Sequence, residues 1–128
     1  MLKDFLIVGA GSFMGGGLRF LVSRLAASCI SSSMFPYGTF TVNIVGCLLI
    51  GILSSMQWTH GIMNDSTKLL AITGFCGGFT TFSTFINESG MLLKNDGLLW
   101  AASYVVISVT IGFLALVLGQ YIGKHLSL

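Results

Sequence analysis

The stretch Thr73-Gly74-Phe75-Cys76-Gly77-Gly78-Phe79-Thr80-Thr81-Phe82-Ser83-Thr84-Phe85 sets backbone-loosening residues, hydroxyls and aromatic rings close together. The Gly77-Gly78 pair is poor for helix continuity. The hydroxyls of Thr80 and Thr81 compete for backbone partners. The expectation is an unwound stretch near 77–81, with the backbone around Gly77 leaving the helical ladder. Such a break frees carbonyl oxygens on one half-helix and N–H groups on the other, and freed carbonyls suit a hard cation. One break supplies few ligands, whereas two meeting at a two-fold axis supply a fuller cage, so the pattern asks for a dimer. The same glycines also fit a packing notch that holds no ion.

Other residues suit an anion. Phe82 and Phe85 stand three apart and share a helix face. An aromatic edge carries partial positive charge, so a small anion can lie against it, although a Phe pair also serves simple packing. Ser83 and Thr84 bring hydroxyls that could replace hydration along the same stretch. Asn43 has two amide donors, fit for a pore wall or for a helix–helix hydrogen bond. Tyr104 and Ser108 are four apart and share a face, while Thr110 points elsewhere. Arg19 and Glu88 are charges within or near apolar segments, which marks them for a functional role such as a vestibule. For Arg19, snorkelling to an interface is the competing reading.

The elements that must position these residues are membrane spans. The chain has 128 residues, about one domain's worth, and is 54% hydrophobic with 8% charged. A soluble surface needs about 25% charged residues. The solvent is therefore lipid. Four apolar segments stand out, at about 5–30, 37–58, 67–93 and 97–123, each long enough for a core that needs roughly 20 helical residues. Because backbone groups in lipid must find internal partners, the expected architecture is an all-α bundle of four transmembrane helices, the third broken in the middle. Small residues such as Gly11, Gly15, Gly46 and Gly51 let such helices approach closely.

Charge speaks about orientation and partners. Lys3, Lys68 and Lys124 fall on one side of the four spans, against Arg24 and Lys94 on the other, or three there when Arg19 is counted. This is almost no positive-inside bias. A chain without bias can insert both ways up and pair antiparallel. No basic run suggests a nucleic-acid partner. Cys29, Cys47 and Cys76 form no metal or redox pattern and read as packing thiols. The N-terminal apolar run reaches Arg19 without a cleavage site, so it does not read as a removed signal. His60 and His125 lie in or near loops without catalytic neighbours, and nothing suggests an enzyme.

Gly74–Phe85, read as GFCGGFTTFSTF, closely resembles the signature of the Fluc (CrcB) fluoride channel family. Gly38-Thr39 followed by Asn43 and Gly46, Arg19 after a glycine cluster, and Glu88 beyond the signature extend the resemblance over all four segments. The resemblance implies an antiparallel homodimer in the cell inner membrane that exports fluoride down its gradient through two pores. It implies a structural sodium ion (Na+) at the dimer interface, held by backbone carbonyls of Gly77 and Thr80 from both subunits. Phe82 and Phe85 would turn ring edges to fluoride, Asn43 would orient that box, and Ser83, Thr84, Tyr104 and Ser108 would line polar stretches. Where the family often has a further polar residue one turn past Ser108, this chain has Gly112. Two rivals stand beside this reading. A small dual-topology multidrug/proton antiporter needs a buried carboxylate in the first segment, which holds only Asp4 at its edge. A non-transporting membrane assembly subunit would use the Gly and Phe pattern for packing alone.

Overall fold

The computed structural model describes residues 1–30, 34–57 and 64–126. Trp58 and His60, with most of the loop between the second and third segments, lie outside the described residues, as do 31–33. Helix α1 covers Leu2–Cys29 and α2 covers Tyr37–Ser55. The third segment is composite. It starts as α3 (Asp65–Lys68), continues as a π-helical stretch (Leu69–Cys76), and ends its first half as α4 (Gly77–Phe79). After two extended residues, α5 (Phe82–Asn95) completes it, and α6 covers Leu98–His125. The chain is thus all-helical, with four helical segments long and apolar enough to cross a membrane and a bend in the third.

Local chemistry sets the ends. Asn64 caps α3 by accepting from Thr67 N–H at 2.9 Å. Gly97, at φ +97°, makes the sharp reversal from α5 into α6 that a residue with a Cβ would resist. Gln57 N–H donates to Leu126 O at 3.3 Å, which puts the end of the second segment and the end of the fourth at one end of the bundle.

Packing relies on absent side chains more than on a large core. α2 meets α6 at Gly51 and Gly119, where a Cβ on either would come within 3.1 Å of the other's Cα. The hydroxyl of Ser55 bridges the same pair of helices to Gln120 O at 3.0 Å. α1 meets the third segment where Gly11 faces Gly74 and where Gly15 faces the backbone of Phe75 and Phe79. A Cβ on Gly78 would lie 2.7 Å from Ser12 O. Close backbone approach replaces the hydrophobic drive that lipid cannot supply between helices. The outward faces are apolar: Phe13 is 83% exposed, and Phe5, Phe20, Leu99 and Phe113 are also exposed. These surfaces have no solvent to suit them except acyl chains.

The interruption falls elsewhere than the glycine pair suggests. Gly77 is helical (φ −63°, ψ −38°), and the backbone leaves the helix at Thr80 (φ −83°, ψ 160°) and Thr81 (φ −148°, ψ 120°). The break therefore falls within the expected 77–81 stretch, but at its far end, three residues beyond Gly77. The reason is that Gly78 is needed helical and side-chain-free against Ser12 of α1, while threonine offers the extended conformation and a capping hydroxyl.

Candidate functional site

The break is held open by specific bonds. In an unbroken helix Thr81 N–H would donate to the carbonyl of Gly77, four residues back. Here it donates to Asn43 Oδ1 at 2.8 Å, while Asn43 Nδ2 donates to Thr81 O at 3.1 Å. One side chain of α2 thus clasps both backbone groups of the residue at the break. Thr81 also starts α5: its Oγ1 accepts from Thr84 N–H at 3.4 Å and donates to Thr84 Oγ1 at 3.1 Å. On the other side, Thr80 N–H and Oγ1 both return to Cys76 O, at 3.1 and 3.0 Å. The methyl of Thr80 rests against Gly46.

This arrangement puts two opposite helix ends at one depth. The carbonyl end of α4 is partially negative and the N–H end of α5 partially positive. A cation suits the first and an anion the second. Asn43, Gly77, Thr80, Phe82 and Phe85 line one cavity of about 570 Å³, with Cys47 and Cys76 on its walls. Gly77 is exposed in the subunit, and a Cβ on it would meet nothing within 4 Å. Its carbonyl has lost its regular helical donor to Asn43. Thr80 O accepts one long bond, at 3.5 Å, from Arg19 Nη1, which leaves a second lone pair. As hard, uncharged oxygens, these two carbonyls fit the chemistry of an alkali cation.

Phe82 and Phe85 differ sharply in setting. Their centroids lie 6.2 Å apart at 45°, yet Phe82 is 75% exposed and Phe85 only 7%. Phe85 packs on Tyr104 (5.1 Å), which meets Phe35 edge-on (5.2 Å, 88°). Behind this aromatic layer, Glu88 gathers two hydroxyls from two other helices: Thr39 Oγ1 donates to Oε1 at 2.7 Å and Tyr104 OH to Oε2 at 2.9 Å. Tyr104 is fully buried, so its proton is committed to Glu88 and it offers position and a ring edge.

Not every expected residue joins this cavity. Ser83 and Thr84 are exposed on α5, away from its walls. Ser108 lies one turn past Tyr104, its Oγ buried and unpartnered among the described residues. Gly112 faces the thiol of Cys47, 3.5 Å from where its Cβ would be, an ordinary contact distance. Arg19 reaches the break itself. For Thr39 the sequence gives a place in the family pattern but no partner, and for Thr81 a part in the break but no capture by Asn43. Thr39 was findable, because it stands four residues before Asn43 on the same face of α2.

Over residues 6–120 the chain matches the family described as CrcB-like protein, Camphor Resistance (CrcB). It is 40% identical over 123 residues to the fluoride-specific ion channel FluC of Chlorobium phaeobacteroides (strain DSM 266), covering 96% of this chain and 94% of that one. The FluC of Chlorobium luteolum is 44% identical over 119 residues, covering 93% and 91%. That of Chloroflexus aurantiacus is 37% identical over 123 residues, covering 96% and 97%.

Proposed function

The chain belongs to the CrcB family, and from that premise we propose that it is a fluoride-selective channel, working as an antiparallel homodimer in the cell inner membrane. Fluoride leaves the cell through it down the electrochemical gradient, which protects the cell from fluoride. The observation that carries the reading is the Asn43 clasp on Thr81, which fixes an opened backbone beside Phe82 and Phe85 in a single cavity.

Fluoride is small and strongly hydrated, so a pore must replace lost water with several close donors. The unspent donors here are few and definite. Asn43 Nδ2 carries a second hydrogen beyond the one given to Thr81 O. Thr84 Oγ1 accepts from Thr81, so its own proton is free for an anion. Ser108 Oγ is unspent as well. Ring edges of Phe82 and Phe85 add weak positive charge. Drawn together by a second copy, these donors would form a narrow track that favours fluoride over the larger chloride.

Exposure supports dimerisation. Phe82, Ser83, Thr84 and Gly77 are open on the subunit surface, and a second copy would enclose them. The near balance of Lys and Arg between the two ends supports an antiparallel partner. In such a pair, the carbonyls of Gly77 and Thr80 from both subunits would hold a sodium ion. When bound, it supplies local positive charge and ties the two broken helices together.

The test is fluoride efflux from liposomes containing the purified protein, followed with a fluoride electrode. Fluoride release with little chloride permeation is expected. No release, or equal permeation of chloride, defeats the proposal. Preparing the protein without sodium is expected to lower both efflux and the dimeric fraction in size-exclusion chromatography. Unchanged dimer and efflux would remove the sodium from the account while leaving the channel.

A further inference from the structure

Glu88 opens onto two cavities besides packing against the aromatic layer. One, of about 440 Å³, lies between the end of α1 and the start of α2 and is walled by Ser23, Arg24, Tyr37, Thr39 and Glu88. The other, of about 170 Å³, is walled by Met34, Met91, Asn95 and Asp96 as well as Glu88. The first contains a cation, whereas the second contains a further carboxylate. An anion that passes Phe85 and Tyr104 meets Glu88 and then has two ways to water. Only the first favours it.

We propose that the cavity at Arg24 is the outer mouth of the anion path, and that Arg24 gathers fluoride there. The inference rests on the channel reading. Both carboxylate oxygens of Glu88 are occupied by the Thr39 and Tyr104 hydroxyls, which blunts its repulsion of a passing anion. Arg24 forms no ion pair among the described residues, so its charge is not spent on a carboxylate. Its guanidinium stands 5.9 Å from the Phe20 ring centroid, which holds the charge at the cavity wall. Arg24 lies five residues before the end of α1, within roughly 8 Å of that end, where water supplies the ion. A fixed cation at a low-dielectric mouth raises the local concentration of the opposite charge, and salt removes the effect.

The test compares efflux at two ionic strengths, set with an impermeant salt, for purified variants in neutral-lipid liposomes. The Debye length is about 30 Å at 0.01 M and about 3 Å at 1 M. R24Q is expected to lower efflux about three- to tenfold at low ionic strength and less than twofold at high. R24E is expected to fall further at low ionic strength, and R24K to stay within about twofold of the parent. Ala27 lines the same cavity one turn on, so A27K in the R24Q background is expected to restore at least half of the loss. D96N, on the other cavity, is expected to change neither condition. Unchanged efflux in R24Q, an equal loss at both ionic strengths, or a D96N effect matching R24Q would each overturn the assignment. A parent protein that releases no fluoride defeats the channel reading instead, so the two failures are separable.

Discussion

Replacing Asn43 by Leu removes two hydrogen bonds while keeping the branched side-chain shape, and it tests what holds the third helix open. Thr81 N–H and Thr81 O lose partners at 2.8 and 3.1 Å, in a part-buried site at the middle of the span. Leaving a buried polar group unpaired costs about 1–3 kcal/mol. Taking the low end for each, because both bonds are only part-buried, gives about 2 kcal/mol for the pair. At about 1.4 kcal/mol per tenfold, that weakens protection of the break roughly 25-fold. The assay is amide hydrogen exchange of peptides spanning Thr80–Phe85 in detergent or nanodiscs, set beside fluoride efflux from liposomes. Exchange there should accelerate about 25-fold, efflux should collapse, and exchange in α6 should be unchanged. Asn43→Asp keeps an acceptor for Thr81 N–H but no donor for Thr81 O, so it should fall between. If Asn43→Leu retained both the parent's exchange and its efflux, the clasp would be incidental and the reasoning from it would fail.

Five further substitutions probe the packing. Gly77→Ala meets nothing within 4 Å inside the subunit, so the subunit should fold normally while dimerisation or conduction suffers; Gly51→Ala strikes α6 backbone, so thermal stability in detergent should fall by about 1–3 kcal/mol. Tyr104→Phe keeps the ring contacts with Phe85 and Phe35 but takes one donor from Glu88, so stability should drop by about 1 kcal/mol with a larger loss in efflux. Phe82→Ile should leave the melting temperature nearly unchanged and reduce efflux, whereas Phe85→Ile should lower both, because only Phe85 is buried.

Composition and segment length determined the solvent and the four helices, because lipid forbids unpaired backbone and leaves few alternatives to helix. The dense run Gly74–Phe85 marked where the third helix would be irregular, since glycines, threonines and paired Phe serve no single helical face. Tertiary packing decided the rest. The break moved from Gly77 to Thr80–Thr81 because α1 requires Gly78 in a helix against Ser12, and because Asn43 of another helix captures Thr81 N–H. The π-helical stretch before it is likewise invisible to residue propensity, being a choice of backbone partner rather than of residue type. Equal spacing gave Phe82 and Phe85 one face, yet Tyr104 buries one and leaves the other outward. Glu88 read as a lone charge until Thr39 and Tyr104 arrived from two other helices. A sequence fixes which groups a helix presents, but the partner each group finds depends on contacts between residues dozens of positions apart, and those exist only after the helices have packed.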